Sequence, residues 1–334
     1  MKSKIILVSP AAAAANNGNW HTAHRWAKFL SHNCDIAITQ RWDATEGAQT
    51  QDLVRPETAM IALHARRSAS SIEAWARAYP RKPLALVLTG TDLYRDIQTD
   101  AAAQQSLELA THLVVLQDAG LAALPDGLRG KARVIYQSAP RLQPAVKPKF
   151  KFMAVMVGHL RDEKDPLTFI NAASQCGVKN SHFEQIGDGL DPALAKAASQ
   201  AAAEHPNYRW LGGLPRSQTR QHIKRAQVLV NCSLMEGGAH VILEAVQSGT
   251  AVLASRINGN IGMLGADYAG YFEVGNAAAL SGLLTRCASD SGFLAGLRRQ
   301  CALRAELFEP AVEKRLVLSL ADELCLSSFA FDRA

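Results

Sequence analysis

Several things are scarce in this 334-residue sequence. No apolar run approaches the ~18 residues that a membrane span needs, so no membrane partner is expected. Aromatic residues make up 6% of the chain, and Lys and Arg are scattered instead of gathered into a stripe with interleaved aromatics. That pattern speaks against a nucleic-acid surface. The six cysteines, Cys34, Cys176, Cys232, Cys287, Cys301 and Cys325, lie far apart, with no C-x-x-C and no Cys/His cluster at metal-ligand spacing. A zinc site is therefore excluded, and reduced thiols in a cytoplasmic protein are the expectation. The apolar run Ile5–Val8 after the basic start is stopped by Ser9-Pro10. It is shorter than the ~7–15 residues of a signal peptide core and reads as a first buried strand.

What is present is ordinary globular composition, 48% hydrophobic and 20% charged, with a net charge of +6. The length suits two domains, and the charge suits a small anionic, phosphate-bearing ligand. Short apolar runs at Ile5–Val8, Asp35–Thr39, Met60–Leu63, Leu84–Leu88, Leu113–Leu116 and Val134–Ile135 alternate with helical patterns at Trp20–Ser31, Ser70–Tyr79 and Ala101–Ala110. The alternation restarts with strands at Phe152–Val157, Ser181–Ile186, Tyr208–Leu211, Val228–Asn231, Ala251–Ala254 and Tyr271–Val274, and helices at Pro166–Gln175, Ser217–Arg225 and His240–Ser248. Such alternation predicts parallel sheets covered on both faces. The fold class is α/β, two Rossmann-like domains whose sheets face a central cleft. Arg141–Phe150, with two prolines and no periodicity, reads as a linker. The expected division is 1–148, 149–305, and a terminal stretch 306–334 whose helix crosses back to the first domain.

Ligands of parallel sheets bind beyond the carboxyl ends of the strands, so chemistry is sought in the loops there. In Ser233-Leu-Met-Glu236-Gly-Gly-Ala-His-Val-Ile-Leu-Glu244, two carboxylates stand eight residues apart. The first lies in a glycine loop, the second inside a helix. Free N–H groups at the helix start suit an anion or a sugar hydroxyl, and Gly237-Gly238 permits close backbone approach. Gly158-His159-Leu-Arg161-Asp-Glu-Lys164-Asp-Pro166 follows another strand. In the first half, Asn16-Asn-Gly18-Asn19-Trp-His21-Thr-Ala-His-Arg25, Leu63-His64-Ala-Arg66-Arg67-Ser68 and Thr89-Gly90-Thr91-Asp92-Leu-Tyr94 follow strands in turn. They gather His21, Arg25, His64, Arg66 and Arg67, with planar guanidinium forks suited to phosphate.

Glu236 and Glu244 resemble the E-x7-E signature of the large retaining GT-B glycosyltransferase family numbered four. Gly187-Asp188-Gly189, Arg209-Trp-Leu-Gly212 and Asn258-Gly259-Asn260 resemble that family's GDG turn, base-side strand and later glycine loop. The resemblance implies that Glu236 reaches the donor sugar and Glu244 the ribose. It places Lys164 on the donor diphosphate; His159 stands where the family carries arginine, leaving His159 and Arg161 as alternatives for the second cation. Cations stabilise the charge that develops on a departing diphosphate, and no D-x-D pair stands at a strand end, so no metal and no cofactor are expected.

More narrowly, the loops around Trp20, His64, Thr89 and His159 resemble the selenosugar synthases of selenoneine biosynthesis. That implies joining selenophosphate to the anomeric carbon of a UDP-sugar, UDP-N-acetylglucosamine or UDP-glucose, with release of UDP and phosphate. The product would pass to a downstream enzyme of the selenoneine pathway. On this reading Lys164, Arg161, Glu236 and His64 are catalytic. Glu244, Gly237, Gly238, Ala239, His159, Arg209 and Gly18 hold the donor. Arg66, Arg67, Arg25, His21, Asn19, Thr89, Thr91 and Asp92 hold the acceptor. The alternatives are an ordinary sugar transferase acting on a hydroxyl acceptor and a non-catalytic nucleotide-sugar binding protein.

Overall fold

Alternating apolar runs and amphipathic stretches fold into two units of parallel sheet and helix. The computed structural model describes residues 2–10, 18–43, 58–148 and 150–331; Asn16 and Asn17 of the first glycine loop lie outside them. The chain divides into Met1–Gln137 with Pro310–Ala334, and Ser138–Glu309.

The first unit runs β1 (Ser3–Val8), α1 (Gly18–Leu30), β2 (Cys34–Thr39), β3 (Ala59–Leu63), α2 (Ala69–Ala78), β4 (Leu84–Leu88), a π-helical turn (Asp92–Asp96), α3 (Ala101–Leu109), β5 (His112–Val115) and β6 (Ala132–Val134). The strands are parallel in the order β2-β1-β3-β4-β5-β6. Side chains alternate across a strand, and here both faces are apolar. Ile6, Val8, Met60 and Leu86 pack with Ile72 and Trp75 of α2. Ile5, Leu7, Ile61 and Val87 pack with Trp26 of α1 and with Val317, Leu320 and Leu324. Each fully buried Leu or Ile contributes about 1.5–3 kcal/mol.

The second unit runs β7 (Phe152–Val157), α4 (Pro166–Gln175), β8 (Ser181–Ile186), α5 (Pro192–Glu204), β9 (Tyr208–Trp210), α6 (Arg216–Arg225), β10 (Val228–Asn231), α7 (His240–Val246), β11 (Ala251–Ser255), α8 (Asn258–Leu264), β12 (Tyr271–Phe272), α9 (Ala277–Ser289) and α10 (Ser291–Leu303). Its parallel order is β12-β11-β10-β7-β8-β9. The last helix, α11 (Pro310–Phe331), belongs to the first unit. Glu313 at its start is fully buried; it accepts from Arg25 Nε at 2.7 Å, Arg25 Nη2 at 2.9 Å and Trp26 Nε1 at 2.8 Å.

Some expectations change. Asn258-Gly259-Asn260 is the first turn of α8 and not a loop, and Thr89–Tyr94 enters the π-helical turn at Asp92. Helices α5, α9 and α10 have no counterpart in the sequence reading. The segment read as a linker lies against the second unit: the Leu142 amide donates to Gln247 O at 2.8 Å, and Lys147 Nζ donates to Lys224 O, Ala226 O and Thr250 Oγ1 at 2.6–2.8 Å. No described helix is long and apolar enough to cross a membrane. All six cysteines are free thiols.

Candidate active site

In the second unit strand order reverses at β7, with β8 and β9 on one side and β10 to β12 on the other. Loops leaving β7 and β10 diverge there and open a crevice at the carboxyl ends of the strands. The loops are tied together. The Leu160 amide donates to Asp188 O at 2.8 Å and the Leu234 amide to Glu163 O at 2.9 Å. Gly187 has φ +150°, and a Cβ there would sit 2.0 Å from Gly158 O, so only glycine lets the two turns meet.

Glu236 sits in this crevice, and three donors converge on its Oε1: Lys164 Nζ at 2.5 Å, Ser233 Oγ at 2.6 Å and Asn231 Nδ2 at 3.4 Å. Burial alone would raise its pKa, but the Lys164 charge and hydrogen bond, with Ser233 and Asn231, hold it below the usual carboxylate value. Oε2 takes no donor among the described residues and is not sealed off. It is the acceptor left open to a ligand.

Glu244 repeats the arrangement. Its Oε1 meets Arg216 Nε at 3.0 Å, His240 Nε2 at 3.5 Å and Arg220 Nε at 3.9 Å. Burial opposes the anion, but contacts with His240 and Arg216 bring its pKa down to about 2. Arg216 Nη2 lies 2.7 Å from His240 Nε2. Arg216 and His240 thus lie against each other as well as against Glu244.

His159 lies against the turn that carries Asp188. Its Nδ1 accepts from the Asp188 amide at 3.1 Å, and burial, then the charges of Arg161 and Lys164, push its pKa down against the pull of Asp188. Arg161 lies nearby with its side chain 44% exposed. Gly237 and Ala239 are buried and Gly238 is half-buried at the start of α7. Arg209 stands exposed on β9 and forms no ion pair among the described residues; its neighbour Trp210 instead bonds Gly187 O at 2.8 Å.

In the first unit the order reverses between β1 and β3. His64 leaves β3 with φ +72° and is buried. Its Nδ1 accepts from the Arg67 amide at 3.3 Å, so the proton lies on Nε2, which faces Thr91 Oγ1 at 3.2 Å. Burial pushes its pKa down, and Arg67 and Arg66 add to this against Asp92 and Asp96. Asp92 is a correction to the acceptor set: fully buried, it accepts from the amides of Ala65, Thr89 and Gly90 at 2.8–2.9 Å and shapes the loop. Arg25 is a second correction, committed to Glu313. Asp96 holds Arg66 Nε at 2.9 Å and Arg95 Nε at 3.2 Å. Arg67 is exposed, Thr89 is half-buried, and Gly18, Asn19 and His21 open α1, with Gly18 O accepting from Thr22 Oγ1 at 2.8 Å.

Residues 141–307, half of the chain and nearly all of the second unit, match the family described as glycosyl transferases group 1. The chain belongs to that family. Over 108 residues it is 34% identical to the Xenopus tropicalis glycosyltransferase 1 domain-containing protein 1, covering 32% of this chain and 31% of that protein. The chain thus spans about a third of the curated relative it matches. Its fold is GT-B. Anabaena HepE in complex with UDP and glucose superposes with a TM-score of 0.75 at 15% identity, over 96% of this chain and 100% of that one. Sucrose-phosphate synthase from Thermosynechococcus elongatus gives 0.78 at 15% identity, over 97% and 99%.

Asn231, Ser233, Arg216, Arg220, Asp96 and Arg95 join these sites without a motif that singles them out in the sequence. Arg216 and Arg220, four apart at the start of a helix and therefore on one face, were the most readable of these. Among the described residues no group of three or more His, Cys, Asp or Glu side chains is placed to hold a metal.

Proposed function

We propose that this glycosyltransferase takes a UDP-sugar, UDP-N-acetylglucosamine or UDP-glucose, on its second unit and transfers the sugar to selenophosphate held by its first. Glu236 Oε2 accepts from the donor sugar and Glu244 from the ribose, each with its other oxygen fixed by a cation. Lys164 and Arg161 stabilise the charge that develops on the leaving diphosphate, a contribution of about 3–4 kcal/mol for a key group, without a metal or cofactor. Selenium attacks the anomeric carbon. The carbon–oxygen bond to the diphosphate breaks and its electron pair leaves with UDP. Water then cleaves the phosphorus–selenium bond, releasing phosphate and the selenosugar.

The donor assignment is supported by the fold shared with HepE, which was solved with UDP and glucose. The acceptor assignment rests on one observation. Both carboxylates beside His64 are committed, Asp92 to backbone amides and Asp96 to two arginines, while Arg67 is exposed. A hydroxyl acceptor needs a base to take its proton; an anionic selenophosphate needs cations. The test follows UDP release, and the sugar product by mass spectrometry, with selenophosphate, thiophosphate and neutral acceptors in parallel. Turnover with selenophosphate is expected. Turnover with neutral acceptors alone sinks this acceptor in favour of ordinary sugar transfer, and none with any acceptor despite UDP-sugar binding favours a non-catalytic binding protein.

A further inference from the structure

Beneath Glu236 lies a buried polar network that donor binding, as described above, leaves unused. Asn260, in the first turn of α8, is fully buried. Its Nδ2 donates to Asn231 Oδ1 at 3.1 Å, with Ser255 O at 2.9 Å and Ser255 Oγ at 3.1 Å also in reach. Its Oδ1 is buried with no hydrogen-bond partner. Three acceptors around the nitrogen and no donor at the oxygen fix the amide's orientation. The network therefore keeps an orphaned oxygen in order to place a nitrogen.

That nitrogen acts on Asn231. The Asn231 Oδ1 also accepts from the Ser233 amide at 3.3 Å. With two N–H groups at its oxygen, Asn231 turns its own Nδ2 toward Glu236 Oε1 at 3.4 Å. Ser255 Oγ donates to Ser233 O at 2.6 Å, pinning the residue whose hydroxyl meets the same Oε1. Gly259 brings α8 directly onto this loop, since a Cβ there would sit 2.0 Å from Glu236 O.

We propose that Asn260 is a positioning residue for sugar transfer: it sets the amide of Asn231, and through Asn231 and Ser233 it locks Glu236 Oε1 so that Oε2 faces the donor sugar. This rests on the reading that Glu236 contacts that sugar.

Asn260→Asp keeps the shape and replaces the donor by a carboxylate oxygen. At about pH 8 that oxygen repels Asn231 Oδ1 and turns the wrong end of Asn231 toward Glu236. Affinity for UDP-N-acetylglucosamine or UDP-glucose, measured by calorimetry, is expected to fall about tenfold or more, while affinity for UDP alone stays within about twofold. Burial raises a carboxyl's pKa, so lowering the pH toward about 6 protonates the introduced group and supplies the missing O–H donor. Sugar-nucleotide affinity and kcat/KM should then recover relative to the unsubstituted enzyme. The titratable groups facing this network are Lys164, paired with Glu236, and Tyr271, whose hydroxyl donates to Asn260 O at 3.2 Å. Equal weakening of UDP and UDP-sugar, unchanged sugar-nucleotide affinity, or no recovery at low pH overturns the proposal. Asn231→Asp is the second variant, with the same selective loss expected if the first fails to fold. Glu236→Gln separates the two readings. If it leaves UDP-sugar affinity intact, the Glu236 reading itself fails; if it loses that affinity while Asn260→Asp does not, only the role of Asn260 fails.

Discussion

Lys164 and Glu236 show how one residue pair is bound to both stability and turnover. Removing the ammonium leaves Glu236 buried with an uncompensated charge, which costs about 3–5 kcal/mol. Lys164→Ala is therefore expected to lower kcat about 10²–10³-fold and also to lower the free energy of unfolding in urea. Adding Glu236→Gln to that variant should restore part of the stability and none of the turnover. If kcat of the single variant stays within about threefold of wild type, Lys164 does not act on the leaving group. Glu244 makes a separate prediction about pH. Its folded pKa lies below the ordinary 4.5, at about 2, so its stabilisation is complete above about pH 4.5 and is lost as pH falls toward 2. The fall from 4.5 to about 2 corresponds to about 3 kcal/mol. Glu244→Gln should lower stability at neutral pH and flatten its decline between about pH 5 and 2, followed by urea melts at each pH. An acid decline as steep as that of wild type would contradict this assignment. The same variant should also weaken UDP binding.

At the scale of elements, cations close helix ends. Lys131 Nζ meets the carbonyls of Leu107 and Ala110 at the end of α3 at 2.7–2.8 Å. Arg304 meets those of Gly262 and Met263 in α8 at 2.9–3.1 Å. Lys147 caps α6 and ties down the proline-rich segment before β7. Last-turn carbonyls lack intrahelical partners, and a cation there also suits the helix dipole. Hydrogen bonds to a charged group are worth about 1.5–3 kcal/mol. Lys147 differs: burial, then the charges of Arg298 and Lys224, push its pKa down to about 7, so its cap is worth about 0.5–1.5 kcal/mol, the value of an uncharged hydrogen bond. Lys147→Met should lower unfolding free energy by about that amount without changing UDP affinity, and a stability equal to wild type would show that the cap is idle.

Elements with strong local signals were legible. Asp165-Pro166, with the Asp165 carboxylate accepting from the Thr168 amide, marks the start of α4. The same Asp-Pro signal at 191–192 opens α5, but the alanine-rich stretch behind it has a weak apolar period that hides the helix in the sequence. Gly282, Gly292 and Gly296 blur α9 and α10 in the same way. Two glycines in Asn258–Leu264 argue for a loop by propensity, and contact with the Glu236 loop overrides them. Glu236, Glu244 and Lys164 could be named from motif spacing. That Lys164 lies on Glu236 and Arg216 on Glu244 could not, because each pair joins separate elements 72 and 28 residues apart in sequence.

Over the whole molecule, the net charge of +6 is the excess of 36 Lys and Arg over 30 Asp and Glu, and much of the positive charge is engaged internally. Lys131 and Arg304 cap helices; Arg25, Lys164 and Arg216 neutralise buried carboxylates. Arg66 is half spent on Asp96. Arg67, exposed and in no ion pair among the described residues, is the cation beside His64 with most to offer an anion. Arg67→Gln is therefore expected to raise the KM for selenophosphate or thiophosphate about tenfold or more, the value of one charge-assisted hydrogen bond. The UDP dissociation constant from calorimetry should stay within about twofold, because donor residues Lys164, Glu236 and Glu244 belong to the other unit. Arg66→Gln should act less selectively, since it also leaves Asp96 with one arginine fewer and disturbs the surroundings of His64. Raising salt should mimic the Arg67 substitution, because an exposed charge is screened over about 10 Å at 0.1 M. A neutral acceptor should be indifferent to both changes. An unchanged acceptor KM in Arg67→Gln, at low and high salt alike, removes Arg67 from the acceptor site and with it the electrostatic case for an anionic acceptor.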